Sequence, residues 1–137
     1  MIYVLDANVI IHYLRNNENV KKNFQQAIMN GCKLLIPRIV DYEVCRGLML
    51  LSATKMAATY NEITCPTGKC NIVNMGEEVW EIAKQIYVDH HRMSLTIGDA
   101  DILIGAFCIH RGYTLVTANT KDFANMNGLQ IINWHSQ

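Results

Sequence analysis

Ile2-Tyr3-Val4-Leu5-Asp6 opens the chain as an apolar run closed by an acid, and Ala7-Asn8 then leads into Val9-Ile10-Ile11-His12-Tyr13-Leu14. A short, unbroken, β-leaning apolar run predicts a strand buried on both faces, as in a parallel sheet. An acid at the carboxyl end of such a strand stands where open α/β sheets bind their ligands. Asp6 must there be solvated, paired or metal-bound, because burying a lone carboxylate is costly.

Outward from this strand, strands and helices alternate. Asn16-Asn17-Glu18-Asn19 is a break rich in capping residues, after which Val20, Phe24, Ala27 and Ile28 recur at helical spacing up to Gly31. Lys33-Leu34-Leu35-Ile36, ended by Pro37, reads as a second strand. A long helical stretch follows, with Ile39, Val40, Val44, Leu48 and Leu51 as its apolar positions. Residues 61–69, with the Pro66-Thr67-Gly68 turn, read as an exposed connection. A third strand is expected over 71–74. An amphipathic helix is expected through Val79, Trp80, Ala83, Ile86 and Tyr87, and a buried helix over 99–111 stopped by Gly112. Strands over 114–117 and 130–133 complete the pattern. The alternation predicts a three-layer α/β/α sandwich with a mostly parallel central sheet, in a single domain over 1–137.

Composition narrows the function less than the acids do. Half the residues are apolar and only two are proline, as a compact chain requires. Lys plus Arg equals Asp plus Glu at twelve each, so net charge gives no support for nucleic-acid binding and any such role must rest on the site. Five cysteines without a CxxC pair point to reduced thiols and a cytoplasmic setting. Cys65 and Cys70 flank a turn that could hold a metal or a disulfide, yet two ligands without neighbours favour free thiols. No signal peptide precedes the first strand, and no apolar run approaches the ~20 residues that span a bilayer, so no membrane association is expected. The five histidines lack ligand spacing and read as surface or helix-end residues, and no Gly-rich phosphate loop marks a nucleotide cofactor.

Three further acids sit in settings comparable to that of Asp6. Glu43 has Ile39, Val40, Arg46 and Gly47 as its helical neighbours, which is not an ordinary solvated face. A buried ion pair with Arg38 or Arg46 is the alternative to a site role. In Gly98-Asp99-Ala100-Asp101-Ile102, the two acids lie two apart and face different ways. Asp99 suits the N-cap or first turn, whereas Asp101 is expected deeper along the apolar helix and is the functional candidate. After Thr117 come Ala118-Asn119-Thr120-Lys121-Asp122-Phe123, where Asp122 is either a helix cap or a fourth site acid. Several carboxylates converging on one sheet edge would repel one another and raise their pKa values unless a divalent cation were present. Hard oxygen ligands without His or Cys suit Mg²⁺ or Mn²⁺, ions that can activate water against a phosphodiester.

Taken in order, Tyr3-Val4-Leu5-Asp6-Ala7-Asn8, the Pro37 to Glu43 helix, Asp101-Ile102-Leu103-Ile104-Gly105-Ala106, Leu115 to Phe123 and Ile132-Asn133-Trp134 resemble the PIN-domain ribonucleases. The likeness is nearest to the VapC-type toxins of bacterial toxin–antitoxin pairs. It implies a Mg²⁺-dependent endoribonuclease acting on RNA, a homodimer and a small cognate antitoxin. Carried over by position, Asp6, Glu43 and Asp101 match the family's acidic triad, with Asp6 and Asp101 as metal ligands and Asn8 and Thr117 as supporting polar residues. The position two after Thr117 is Asn119, so either Asp122 stands in or the fourth acid is missing. Arg38, Arg46 and Lys121 are candidate phosphate contacts, with Lys69 a further one. The 61–69 connection matches nothing in the family, and Gly105 stands where the family often has alanine.

Two rivals fit less well. A haloacid-dehalogenase-like phosphatase would want a second Asp two residues after the first, where this chain has Asn8. A receiver-type domain would want an Asp after its third strand, near Val73, and none is there. A degenerate PIN fold that only binds RNA or protein is the non-enzymatic alternative.

Overall fold

A computed structural model describes residues 1–136. The elements follow as β1 (Ile2–Leu5), α1 (Ala7–Leu14), α2 (Glu18–Met29), β2 (Lys33–Pro37), α3 (Arg38–Leu50), α4 (Thr54–Thr64), β3 (Cys70–Val73), α5 (Glu78–Arg92), α6 (Asp99–Arg111), β4 (Thr114–Val116), α7 (Thr120–Phe123) and β5 (Gln130–Ile132). The five strands form one sheet in the order β3-β2-β1-β4-β5, and every pair is parallel. The expected α/β architecture is therefore borne out, with the sheet parallel throughout.

The order places β1 in the middle. From it the chain winds outward to β2 and β3, then crosses back to β4 and β5 on the other side. Right-handed crossovers in a sheet wound both ways put the two sets of helices on opposite faces. Helix contacts agree, since α1 packs on α2, α3 and α4 while α6 packs on α5 and α7. The reversal of winding falls between β1 and β4, the crevice where such sheets bind ligands at their carboxyl ends. Val4, Leu5, Leu34, Ile36, Leu115 and Val116 are buried in the sheet, and Ile104, Phe107 and Phe123 join the same hydrophobic cluster.

Two helix boundaries depart from the sequence expectation. The long helical stretch does not continue through Leu51: α3 ends at Leu50, Ser52 turns into the left-handed region at φ 52°, and a separate helix α4 runs on to Thr64. The exposed connection is correspondingly shorter than 61–69, and Leu51 is 64% exposed instead of facing the core. The stop at Gly112 matches expectation, with φ 70° at that glycine.

Among the described residues no helix is long and apolar enough to cross a membrane. All five cysteines are free thiols, Cys65 exposed and Cys70 buried.

Candidate active site

Asp6 leaves β1 and caps α1. Its Oδ1 accepts the Ala7 N–H at 2.8 Å, which satisfies one of the orphan donors of a helix N-terminus. Oδ2 accepts from the Thr117 hydroxyl at 2.8 Å and from Asn8 Nδ2 at 3.1 Å. Asn8 also accepts the Ala118 N–H at 3.1 Å, and Thr117 Oγ1 accepts the Asn119 N–H at 3.0 Å. The ends of β1 and β4 are thus stitched across the crevice by three side chains. Asp6 is only 4% exposed and Thr117 fully buried. Burial raises the Asp6 carboxyl above its usual range, and the bonds from Thr117, Ala7 and Asn8 offset part of that rise.

Glu43 and Asp101 arrive from two helices that touch each other, α3 and α6. Burial lifts the Glu43 carboxyl, the charge of Asp6 lifts it further, and Arg46 counters both only in part. The guanidinium lies 4.0 Å from Glu43 and is itself largely exposed, so the buried ion pair that the sequence allowed is a marginal contact. Arg38 turns instead to Asp41 at 3.8 Å. Asp101 shows the strongest effect among the acids. Its carboxyl is pushed up to about 6 by burial and by the charges of Asp6, Glu43 and Asp122. It does so from the first turn of α6, where the helix dipole favours an anion, not from deeper along the helix as the sequence suggested. Asp99 shares that first turn, and the N-cap position is held by Gly98.

Asp122 is not a cap. Asn119 occupies the N-cap position of α7, and its Nδ2 donates to Asp122 Oδ2 at 2.8 Å. The two residues between which the sequence left a choice are therefore joined, with Asp122 exposed and felt electrostatically at Asp101. Lys121 is exposed on the same short helix. Lys69 is exposed beyond α4 in the β3 approach.

No sequence pattern singles out Tyr42. It is 57% exposed beside Glu43, and the Arg46 guanidinium lies 5.0 Å from its ring centroid. Tyr42 and Arg46 are four apart on one helix, a spacing that places them side by side. His12, His90, His91 and His110 lie in the last turns of helices, as expected. His90 is near the end of α5 but buried, with Nδ1 donating to the Ile86 carbonyl at 2.9 Å. His12 and His135 are hydrogen-bonded to each other through their rings.

Four acids brought to one edge, three of them with raised pKa values, form a donor set that a hard divalent cation would relieve. Among the described residues, no three His, Cys, Asp or Glu side chains make a ready ligand cage. The arrangement fits an ion held by one or two carboxylates and otherwise by water, the usual state of Mg²⁺.

The model of the PIN domain family matches residues 3–129. The chain belongs to the PIN-domain family. All the acids and polar residues described at the PIN crevice lie within the matched span. Over its length the PIN chain is similar to Ribonuclease VapC2 of Rickettsia felis, 23% identical across 134 residues that cover 98% of each protein. It is also similar to Ribonuclease VapC1 of that organism, 43% identical over 56 residues, or 41% of each protein. Among solved structures, VapBC2 from Rickettsia felis bound to a DNA fragment from their promoter superposes with a TM-score of 0.84 at 22% identity, covering 98% of this chain and 99% of that one. At that identity the match speaks for the PIN fold alone.

Proposed function

We propose that this chain is a divalent-metal-dependent endoribonuclease of the VapC type, the toxin of a toxin–antitoxin pair. The carrying observation is a buried Asp6 at the winding reversal, fixed by Asn8 and Thr117, with Glu43 and Asp101 repelling it across the crevice. The full-length likeness to proteins named Ribonuclease VapC supports the same reading.

Asp6 and Asp101 would hold Mg²⁺ or Mn²⁺, and the ion would supply an activated water and positive charge beside a phosphodiester. The protein's own residues set the stage for that chemistry. Thr117 and Asn8 occupy Asp6 Oδ2 and so hold the carboxylate in one orientation. Glu43, with its raised proton affinity, would take a proton from the attacking water. Asn119 holds Asp122 at the rim, where it adds negative charge facing Asp101. Arg38, Arg46 and Lys121 are exposed around this edge and supply the phosphate contacts. The partners follow from the same reading: an RNA substrate, a small antitoxin and a second copy of the chain, with residues 1–137 acting as a single nuclease domain.

Incubation of the purified protein with RNA, followed by mapping of fragment 5′ ends, tests the proposal. Cleavage should vanish in EDTA and return with Mg²⁺ or Mn²⁺. Undiminished cleavage in EDTA would overturn the metal assignment, and no cleavage with either ion would overturn the nuclease.

A further inference from the structure

His12 and His135 stand 123 positions apart in the chain, and the fold brings their rings together. His12 is in the last turn of α1. His135 lies shortly after β5, in a stretch outside any helix or strand. That stretch is anchored on α2, where Asn19 Nδ2 donates to the His135 carbonyl at 2.9 Å and Asn23 Nδ2 to the Trp134 carbonyl at 3.1 Å. Trp134 is buried with its ring edge-on to Tyr3 and Phe24.

The two rings meet nitrogen to nitrogen, His12 Nδ1 against His135 Nε2, nearly perpendicular at 77° with centroids 4.5 Å apart. Asn133 sets the tautomer of His135. Its Oδ1 accepts the His135 backbone N–H at 2.8 Å, which fixes the amide's orientation, and the same oxygen faces His135 Nδ1 at 3.3 Å. Nδ1 therefore carries the proton and donates it, which leaves Nε2 as a bare lone pair directed at His12. An imidazole that gives its other N–H to a carbonyl oxygen is supported as metal-bound histidines are. Burial and the neighbouring His12 hold the His135 ring below its usual range, which favours the neutral form that can ligate. Among the described residues neither ring is ion-paired with a carboxylate that would favour its cation.

We infer that His12 and His135 form a metal site of their own, for a borderline first-row ion such as Zn²⁺, separate from the acids at the crevice. His12 Nδ1 and His135 Nε2 are its two protein ligands and water completes the tetrahedron, with Zn–N bonds of about 2.0–2.1 Å. Two imidazoles without a carboxylate select against Mg²⁺, which prefers oxygen, and in favour of Zn²⁺, Ni²⁺ or Cu²⁺. The site is also apart in space, since six residues of α1 between Asp6 and His12 span about 9 Å of helix axis. Both histidines are half-buried, so an ion reaches them from solvent. With two protein ligands the site binds more weakly than a four-ligand structural one. The ion ties the stretch after β5 to the end of α1, the helix that Asp6 caps. The competing account is a single proton shared between the rings, which needs no metal.

Calorimetric titration of the metal-free protein with Zn²⁺, in excess Mg²⁺ so that the crevice acids do not contribute, tests the site. The wild type should take up one Zn²⁺ per chain. His12→Ala and His135→Gln should each weaken that uptake at least roughly tenfold, since a direct ligand counts for no less than an outer-shell partner. Asn133→Ala, which removes only the support of Nδ1, should weaken it roughly tenfold. Cys65→Ser should leave it unchanged, because the exposed thiol is the rival ligand. Thermal melts give a second reading: saturating Zn²⁺ should raise the Tm of the wild type and not that of His12→Ala. No uptake by the wild type in Mg²⁺ would leave a proton and not a metal between the rings, and would overturn the inference. So would uptake that survives in both histidine variants, or that is lost with Cys65→Ser. None of these readouts uses RNA, so the site stands or falls apart from the nuclease reading.

Discussion

At the residue scale, the crevice combines acids whose charge is needed with neighbours that make that charge costly. Asp6→Asn keeps a good N-cap and nearly the same shape, so the variant should fold with stability within about 1 kcal/mol of the parent and cleave no RNA. Circular dichroism and a cleavage assay on one preparation check both halves. Glu43→Gln should lose activity severely. Asp122→Asn should lose less, because Asp122 lies at the exposed rim, held by Asn119, and not in the buried crevice. Equal inactivity of Asp122→Asn and Asp6→Asn at equal folding would make the site one of four essential acids. The raised carboxyls also predict a pH dependence in EDTA. Asp101 holds its proton up to about 6 in the folded state, against 3.8 for an unperturbed aspartate. Between these values the folded state binds more protons than the unfolded chain, so stability should fall as pH rises from 3.8 to about 6 and level off above. Urea midpoints across that range should show the fall in the wild type and a shallower one in Asp101→Asn. Asp6, Glu43 and Asp101 were legible in the sequence because each interrupts an apolar pattern. The Asn119–Asp122 bond was not, since it lies on a four-residue helix too short to show a period.

At the element scale, strands and long helices announced themselves through apolar spacing and through glycines at their ends. The division between α3 and α4 did not. Leu48-Met49-Leu50-Leu51 continues a hydrophobic pattern, and only backbone geometry at Ser52 shows that the helix has stopped. The surplus of apolar residues there was nonetheless visible from the sequence, because one helical stripe cannot bury four in a row. Leu48 is buried and the other three are exposed. Helix α6 carries a second element-level constraint. A Cβ on Gly105 would stand 2.2 Å from Met126 Sδ and 3.1 Å from its Cε. Alanine in a helix interior gains roughly 1 kcal/mol over glycine, but overpacking a buried Met costs about 1–3 kcal/mol. Gly105→Ala should therefore be destabilising by about 0–2 kcal/mol, read from thermal melts. Because Phe123 on α7 also contacts that position at 3.8 Å, activity should drop with it. A stabilised and fully active Gly105→Ala would show that Met126 yields freely.

At the scale of the whole molecule, zero net charge conceals an uneven surface. Acids gather at the crevice, and Arg15, Lys21 and Lys55 gather between the α1–α2 turn and α4. The exposed Met49, Leu50 and Leu51 lead us to expect self-association. Light scattering at micromolar concentration should give about twice 15.6 kDa, and a value of 15.6 kDa would refute the homodimer. If Met49→Glu leaves a dimer intact, the contact between copies lies elsewhere. The sheet order carries a different consequence, one for the making of the protein. The bond from Thr117 to Asp6 joins residues 111 positions apart, and β1 sits between a strand from the first third of the chain and one from the last. During translation the first acid emerges early and waits, because the residue that completes its crevice is made 111 positions later. A chain stalled on the ribosome before Thr114 has no second wall for Asp6. On the function proposed above, the nuclease would stay inert until β4 is made, and a partner that recognises the finished crevice would meet it only then.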